Sequence, residues 1–377
     1  MAEPIEPIAA RLLRWAVEQA LPVWAQAGFD REHERFEERL TLGGARLPDV
    51  PIRVMVQARQ IHSYALAGRR GWYRDAESLV RLAYGAMVRD YHRGDGAPGW
   101  LFSIDRDGRP AGTQRDLYGH AFVLLAIGSY VGATGDRAAL ALADETLAWL
   151  DRDMRAAHGG YVDAIPPIDA MRRQNPHMHL FEALLNLWSH SHEARYLERA
   201  GELFELLARR FFQAVPGVLI EYFDDRLMPA SGAAGWIVEP GHHFEWIWLL
   251  RWYERESGTA VGSHVDALYS HADRYGSDHA GLIVDELLVD GSVKTASHRL
   301  WPMTEAIRAH LVEARLGRLG AAAKAKALAD LLFERFLSGA TAGGWIDRLD
   351  AAGSPAVDFM PASSLYHLLG AIDELTR

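Results

Sequence analysis

The apolar and polar positions of this chain alternate between two kinds of segment. Six short stretches begin with glycine, continue with apolar or aromatic residues and end in turn-forming residues, a pattern typical of short strands or hairpins. These stretches begin at Gly28, Gly99, Gly159, Gly217, Gly281 and Gly343. Each is followed by apolar positions with the 3.6-residue period of an α-helix. The pattern therefore predicts a repeat of hairpin and helix along the whole chain.

Two helices are predicted in each repeat. The first begins with polar residues and is apolar on most sides, which is typical of a buried helix. The second, such as "RYLERAGELFELLARRFF", has a charged face and is expected on the outside. The sixth repeat lacks a second helix, but the N-terminal segment "PIAARLLRWAVEQAL" can supply it. We therefore predict an all-α fold, an (α/α)6 toroid of twelve helices with short β-hairpins in its loops, forming one domain over residues 1–377.

Composition excludes several classes of function. The chain has 377 residues and a formal net charge of −10, and an acidic chain does not favour nucleic acid as a partner. It has no cysteine, which excludes disulfides, thiolate nucleophiles and Cys-bound zinc. Charged residues interrupt the apolar run of the N-terminus, so we expect no signal peptide, and we also expect no membrane-spanning helix. The protein is expected to be a cytoplasmic monomer or homodimer.

The beginnings of the six first helices carry polar side chains at related positions. When the six helix beginnings are aligned, the matching positions lie about 60 residues apart along the chain. They are Arg59, His120, His179, His242, Pro302 and His367. His179 and His242 each have a glutamate three residues later, Glu182 and Glu245, and Glu305 has the same offset from Pro302. That spacing places both side chains on one helix face. Burying so many polar groups without partners would be costly. The positions of these residues therefore predict that the six helix ends converge on a cavity.

Other polar and aromatic residues near these helix ends have two interpretations. Asn175 is either a helix cap or a substrate contact. Tyr118, Trp301, Trp236 and Trp246 are candidates for stacking on a sugar ring, although aromatic residues also fill cores. Three histidines fall outside the alignment and are interpreted as structural: His62, His177 and His243.

The motifs favour acid–base chemistry by histidine, with no metal and no cofactor. The order His-x-x-Glu is the reverse of the order in di-iron helix bundles, and the chain has no H-E-x-x-H zinc motif. It also has no glycine-rich phosphate loop and no G-x-S-x-G motif. A neutral histidine is an effective general base near pH 7, and an arginine can stabilise an enolate oxygen. These residue types are suited to removing a proton from the carbon next to a carbonyl group.

Segments along nearly the whole chain resemble the N-acylglucosamine 2-epimerase family of sugar epimerases and isomerases. They are, in family order, "DREHERF", "QARQIH", "NPHMHLFEAL", "GHHFEW", "RLWPMTEAI" and "SLYHLL". The resemblance implies an (α/α)6 barrel that needs no metal. It also implies that Arg59 binds the sugar oxygens and stabilises an enediolate, and that His179 contacts the substrate. His242 and His367 would then be the acid–base pair, with Glu245 supporting His242.

Within that family, "ARQIH", "RLWP" and "YHLL" look closest to the branch of mannose and sulfoquinovose isomerases. Two features depart from other members: His243 replaces an apolar or acidic residue, and "PASSLYHL" lacks the tryptophan of some cellobiose epimerases. We therefore expect an isomerase that interconverts D-mannose, or a similar free aldose, and D-fructose through a cis-enediol. A sugar 2-epimerase, an (α/α)6 glycoside hydrolase and a non-catalytic sugar-binding protein are the open alternatives. The expected substrate-binding residues are Asn175, Glu182, His120, Trp301, Glu305 and Tyr118.

Overall fold

The computed structural model describes residues 5–377, and within that range the chain is mainly helical. The first helix, α1, comprises Glu6–Trp15, a π-helical turn at Ala16–Ala20 and Leu21–Gln26. The helices that follow are α2 (Val54–Arg69), α3 (Ala76–Tyr91), α4 (Leu117–Thr134), α5 (Leu140–Trp149), α6 (Asn175–Ser191), α7 (Ala194–Leu206), α8 (Pro240–Ser257), α9 (Gly262–Tyr275), α10 (Leu300–Arg315), α11 (Ala321–Leu332) and α12 (Ser364–Leu375). Shorter 3-10 or π-helical turns lie at Arg137–Ala139, Leu150–Met154, Leu207–Phe211, Gly232–Trp236 and Phe333–Leu337.

The even-numbered helices form an inner layer. Each contacts the next even-numbered helix, and α12 contacts α2, so that the six follow one another in a circle. The odd-numbered helices pack outside them, from α3 on α2 to α11 on α10, while α1 packs beside α12. The N-terminal helix therefore supplies the outer partner of the sixth inner helix. The predicted alternation of inner and outer helices is confirmed.

Helix α4 shows how apolar an inner helix becomes. In residues 5–377 it is the one helix long and apolar enough to cross a membrane, by length and composition only, and 78% of that stretch is buried in the fold. It contains no Asp, Glu, Lys or Arg. A helix that touches other protein segments on nearly every side is apolar all round for the same reason as a membrane helix.

Short antiparallel strands occupy the loops between the helices. Their bounds are Phe29–Asp30, Arg35–Phe36, Arg39–Thr41, Ile52–Arg53, Ser103–Ile104, Pro110–Gly112, Arg115–Asp116, Ala164–Ile165, Arg172–Arg173, Phe212–Gln213, Val218–Leu219, Tyr222–Phe223, Ile237–Val238, Glu286–Leu288, Val293–Thr295, His298–Arg299, Arg348–Leu349 and Phe359–Pro361. Most strands lying directly before an inner helix form hydrogen bonds with a strand of the following repeat. The predicted short hairpins in the loops are present.

These strand pairs link successive repeats in the same circular order as the helices. The linked pairs are Ile52 with Ile104, Arg115 with Ile165, Arg173 with Tyr222, Ile237 with Leu288, and Arg299 with Arg348. A further pair joins Phe359–Pro361 to Arg39–Thr41, which are distant in sequence. Backbone hydrogen bonds therefore tie the last repeat to the first, in addition to the contact between α12 and α2.

In each repeat a backbone N–H of the loop donates to one side chain, which lies on an inner helix in five repeats and in the strand before α12 in the sixth. The imidazole Nε2 atoms of His120, His177 and His243 accept from the N–H groups of Trp100, Tyr161 and Leu219, at 3.0–3.1 Å. In the other repeats the acceptors are Gln57 Oε1 from Phe36, Met303 Sδ from Ile283 and Met360 Sδ from Trp345. The five acceptors on inner helices all lie in the first turn of their helices, and they align those five repeats.

This alignment corrects the one predicted from sequence. His120 was aligned with His179 and His242, but it corresponds to His177 and His243, which were correctly interpreted as structural. The structural roles of His120 and His177 also explain why a glycine precedes each anchored residue, Gly99 before Trp100 and Gly160 before Tyr161. A Cβ at Gly99 would lie 3.1 Å from His120 Nε2, and one at Gly160 would lie 2.6 Å from His177 Nε2.

Candidate active site

A cavity of about 130 Å³ lies where the N-terminal ends of the six inner helices meet. Its lining residues are Arg59, Tyr118, Asn175, His179, Glu239, His242, Glu245, Arg299, Trp301 and His367. A larger cavity of about 580 Å³ lies at the opposite ends of the same helices. The larger one is lined by neither His179, His242 nor His367, so the smaller cavity is the candidate active site.

The structure brings most of the residues singled out from sequence to this cavity, and places the others elsewhere. Glu182 and Glu305 lie behind the histidines and hold them by hydrogen bonds. His120 is not part of the lining, because both of its ring nitrogens bind backbone atoms, of Trp100 and Asp116. Neither of the other two tryptophans lines the cavity: Trp236 is 61% exposed, and Trp246 is buried in the core.

Three histidines of the cavity are held by buried carboxylates in the same way. Nδ1 lies 3.2 Å from Glu182 Oε2 in His179, 2.9 Å from Glu221 Oε2 in His242, and 2.8 Å from Glu305 Oε1 in His367. An ionised carboxylate can only accept, so Nδ1 carries the hydrogen in each pair. The Nε2 atoms have no hydrogen-bond partner within residues 5–377. Each ring therefore keeps one nitrogen free for a substrate proton.

The surroundings push the pKa values of these histidines in opposite directions. Burial lowers the pKa of His367 to about 4, although Glu305 acts against it, and burial likewise lowers the pKa of His179 to about 4. Burial also disfavours the cation of His242, but the negative charges of Glu221 and Glu239 outweigh it and raise the pKa of His242. Near neutral pH, His367 is therefore a neutral imidazole, and His242 is biased toward its protonated form.

Glu221 is a site residue that the sequence prediction missed. It accepts from His242 Nδ1, and it also accepts from the side-chain amide of Gln174 at 2.9 Å. A signal was present, because five of the six loops have an acidic residue two positions after the anchored N–H, at Glu38, Asp163, Glu221, Asp285 and Asp347. Without the correct repeat alignment, this recurrence was not visible.

Glu245 does not support His242, contrary to what the resemblance implied. Its Oε1 lies 3.8 Å from His179 Nδ1, and it has no hydrogen-bond partner in the described part of the chain. Burial raises the pKa of Glu245 well above its usual range, and the nearby Glu305 and Glu182 raise it further. Glu245 is therefore a buried carboxyl group that favours its neutral, hydrogen-donating form.

Arg59 supplies a positive charge that no acidic side chain within residues 5–377 neutralises by direct contact. Its Nη2 donates to the hydroxyl of Tyr118 at 2.7 Å, and its guanidinium carbon lies 4.2 Å from the ring centre of Phe122 and 5.0 Å from that of Tyr366. The residue is only 5% exposed. Aromatic faces stabilise a cation without neutralising it. Arg59 is therefore available to an oxygen that gains negative charge during a reaction.

Arg299 and Trp301, at the start of α10, form another wall. Arg299 donates to Glu239 Oε2 at 2.6 Å and to Asp285 Oδ1 at 2.9 Å, so two acids balance its charge. The Trp301 ring centre lies 4.9 Å from that of His242 and 5.8 Å from that of His367. A Cβ at Gly241 would lie 2.6 Å from the Trp301 ring, so a glycine before His242 permits this close approach.

Several groups of side chains at the site have donor atoms close enough to hold a metal ion. In three groups these atoms lie within 4.8 Å of one another: His179 with Glu182 and Glu245; His242 with Glu221 and Glu239; His367 with Glu245 and Glu305. In all three groups the same atoms already form the histidine–carboxylate contacts described above. The absence of a catalytic metal stays a prediction.

Comparison with known proteins agrees with this combination of fold and site. A sequence model of the family described as N-acylglucosamine 2-epimerase (GlcNAc 2-epimerase) matches residues 36–371. A protein of Rhizobium meliloti named mannose-6-phosphate isomerase is 35% identical over 97% of this chain and 96% of its own length. The D-mannose isomerase of Pseudomonas cannabina pv. alisalensis is 28% identical over 68% of this chain and 66% of its own.

Solved structures show the same fold. Cellobiose 2-epimerase from Bacillus thermoamylovorans superimposes with a TM-score of 0.87 over 99% of this chain and 100% of its own, at 17% identity. Fold, site and relatives together define an enzyme of the sugar isomerase and epimerase class. The chain belongs to the N-acylglucosamine 2-epimerase family.

Proposed function

We propose that this enzyme interconverts D-mannose and D-fructose, as an aldose–ketose isomerase that works through a cis-enediol. The observation that carries the proposal is the set of three histidines, each held at Nδ1 by a carboxylate and free at Nε2, around one cavity with the unneutralised Arg59. This arrangement moves protons and stabilises an oxyanion. The names of two similar proteins, each a mannose or mannose-6-phosphate isomerase, favour a mannose-type aldose.

The proposed reaction begins with the open-chain aldose. His367 Nε2 takes the proton from C2, the electron pair of that bond forms the C1–C2 double bond, and O1 takes a proton from His242. Arg59 stabilises the negative charge that develops on the oxygens. His242 then takes the proton of O2 while His367 returns its proton to C1. The net result moves one hydrogen from C2 to C1 and one proton from O2 to O1, which gives the ketose.

His179 is assigned to ring opening. Its pKa of about 4 makes the ring neutral near pH 7, and Tyr118 packs against its edge with ring centres 5.1 Å apart. A neutral imidazole with a free Nε2 can take the proton of the anomeric hydroxyl. Glu182 holds Nδ1 and so orients the ring. Asn175, Trp301 and Tyr118 are proposed as contacts to the sugar.

A free sugar is favoured over a phosphorylated one by the charges of the lining. Arg299 is already held by Glu239 and Asp285. The cations that remain among the described lining residues are Arg59 and His242, and the mechanism uses both. A phosphate group would have no cation reserved for it. We therefore propose a free sugar as the substrate, and mannose 6-phosphate serves as a comparison in the product analysis below.

The alternative is a sugar 2-epimerase, favoured by the same His242 and His367 pair. An epimerase needs one neutral base on one face of C2 and one protonated acid on the other, and the opposed pKa shifts of these histidines suit that task as well. The products separate the two reactions, because isomerisation yields fructose and 2-epimerisation yields glucose from mannose. A glycoside hydrolase would release sugars from an oligosaccharide, and a binding protein would leave the sugar unchanged.

The deciding experiment is product analysis in heavy water. The enzyme is incubated with mannose, glucose, N-acetylglucosamine and mannose 6-phosphate, and the products are followed by NMR. Fructose from mannose is the expected result, with deuterium at C1 wherever protonated His367 exchanges with the solvent before it returns its proton. Glucose with deuterium at C2 and no fructose would make the enzyme an epimerase. Sugars that stay chemically unchanged and free of deuterium, with ligand binding intact, would contradict both reactions.

Finer features of the fold and setting are part of the proposal. We infer a closed (α/α)6 toroid that forms a single domain, supported by the contact of α12 with α2 and by the pairing of Phe359–Pro361 with Arg39–Thr41. Limited proteolysis should cut loops without releasing a folded half, and a stable fragment ending near Asp151 would contradict it. We also propose a cytoplasmic monomer or homodimer with a sugar as its only partner and no cofactor.

A further inference from the structure

The larger cavity lies at the C-terminal ends of the inner helices, across the ring from the active site. It has a volume of about 580 Å³, within the range of cavities that hold small molecules. Residues from the last turns of α2, α6, α8, α10 and α12 form its walls. Glu182, which holds the active-site His179, lines this second cavity as well. The two cavities are therefore separated by only a thin layer of side chains.

Arginine is the most frequent charged residue of the second cavity, and one arginine lacks an acidic partner. Five of the lining arginines form ion pairs, Arg251 with Glu313, Arg255 with Glu256, Arg308 with Glu305, Arg315 with Glu374 and Arg377 with Asp373. The sixth, Arg69, has no hydrogen bond or ion pair within residues 5–377. Its side chain is exposed to solvent; burial of part of the group lowers its pKa, and the nearby Asp373 acts in the opposite direction without a direct contact. Arg69 is therefore an exposed cation of the lining whose donors no described residue occupies.

A second unused donor lies deeper in the same cavity. Nε of Arg308 is buried and has no hydrogen-bond partner in the described chain. The guanidinium carbon of Arg308 lies 3.4 Å from the ring centre of Trp248, which stacks at 6.2 Å on Trp252. The cavity thus combines guanidinium groups with an aromatic wall. Guanidinium groups bind oxyanions through paired N–H donors, and aromatic faces bind rings.

We propose that this second cavity binds a small organic phosphate, with its oxyanion on Arg69 and its ring or carbon skeleton against Trp252. The volume of the cavity, the unpaired arginine and the aromatic wall are the three observations that support this ligand chemistry. The ligand is distinct from the substrate, because the site lies at the opposite ends of the inner helices from Arg59 and His242.

A ligand in the second cavity is coupled to catalysis through Glu305. One carboxylate oxygen of Glu305 holds His367 Nδ1 at 2.8 Å. The other accepts from Trp248 Nε1 at 2.7 Å and from Arg308 Nη1 at 3.1 Å, and both of those residues line the second cavity. Glu305 therefore connects the proposed ligand with the proposed base.

The direction of this effect follows from the charges around His367. Burial is the main cause that lowers the pKa of His367; among the charged groups, Glu305 raises this pKa, and Arg59 and Arg308 lower it. A bound oxyanion offsets the positive charge on the cavity side of Arg308, and so raises the pKa of His367. Because the neutral form of His367 is the base, the acid limb of the activity profile should move to higher pH.

The binding test uses the whole enzyme, calorimetry and three probes: phenyl phosphate, inorganic phosphate and benzoate. Saturable binding of phenyl phosphate is expected in the presence of saturating mannose, because the two sites are separate. Arg69→Gln should weaken the binding of phenyl phosphate roughly tenfold or more. Arg137→Gln is the matched control and should leave this binding unchanged, because Arg137 is an exposed arginine at the same end of the molecule that does not line the cavity. Trp252→Leu should weaken phenyl phosphate but not inorganic phosphate. Benzoate binding as tight as phenyl phosphate would assign the site to carboxylates instead.

Three results would overturn the proposal: no saturable binding, equal affinity in Arg69→Gln, or displacement of the probe by sugar. A pH–rate profile with and without phenyl phosphate tests the coupling, and an acid limb that does not move would refute it. The binding arm needs no turnover, so its failure is distinguishable from failure of the proposed isomerase reaction.

Discussion

His367 and Glu305 connect two inner helices at the active site by a buried hydrogen bond. Nδ1 of His367 donates to Glu305 Oε1 at 2.8 Å, and both side chains are buried. The two residues come from α12 and α10, adjacent inner helices that are far apart in the chain. The carboxylate fixes the tautomer of the imidazole and directs Nε2 to the cavity. A contact between two helices therefore orients the imidazole of His367, and it also raises the pKa of that group.

Replacing His367 should remove the base without removing the substrate site. In His367→Ala we expect kcat to fall roughly 10²–10⁴-fold, the usual contribution of a general base, with a small change in KM. Steady-state kinetics with mannose measures both. The exposed His279→Ala is the matched control and should behave as wild type. Weaker binding with unchanged turnover in His367→Ala would take this residue out of the base role.

Glu221→Gln should shift the basic limb of the pH–rate profile. The negative charge of Glu221 helps to raise the pKa of His242, so its removal lowers that pKa. His242 acts while protonated, and the variant should therefore lose activity at a lower pH than wild type. The acid limb, which reports His367, should stay in place. A basic limb that stays where it is in wild type would show that His242 is not the acid.

Arg59→Lys should be severe although it keeps the charge. A planar guanidinium can hold two oxygens at once, and an ammonium group cannot reproduce that geometry. We expect kcat/KM to fall roughly 10²–10³-fold, comparable to the loss of an oxyanion donor. The exposed Arg109→Lys serves as control. Activity close to wild type in Arg59→Lys would indicate that only the charge matters.

His120 should matter for stability and not for chemistry. His120→Leu leaves the buried N–H of Trp100 without its acceptor, which costs about 1–3 kcal/mol in the free energy of unfolding. Urea denaturation measures this loss, and kcat should remain close to wild type because His120 does not line the cavity. The opposite outcome, unchanged stability with lost turnover, would return His120 to the active site.

Activity should persist without metal. The proposed acid and base are free imidazole nitrogens, and a divalent cation would compete for those lone pairs. Dialysis against EDTA should leave kcat unchanged, and excess Zn²⁺ should inhibit, because the three histidine–carboxylate groups offer ligands within 4.8 Å. Activity that disappears with EDTA and returns with one added metal would contradict the mechanism.

Much of the architecture could be predicted from local patterns. Helical periodicity, glycine at the loop starts and a repeat of about 60 residues are properties of neighbouring residues, and they predict alternating buried and exposed helices. Polar residues in buried helix starts, such as Arg59, His179, His242 and His367, mark where those helices meet, because unpaired polarity is costly inside a core. These features needed no knowledge of tertiary contacts.

The role of each histidine was decided only by the tertiary structure. His120 and His242 occupy similar places in the sequence pattern, but the nitrogens of one bind backbone atoms and those of the other meet Glu221 and the cavity. Likewise, the matching spacing of His179–Glu182 and His242–Glu245 gives a hydrogen bond in the first pair alone. A ring nitrogen is a base, an acid or an anchor according to the atoms within about 3 Å of it, and here many of those atoms come from distant segments of the chain.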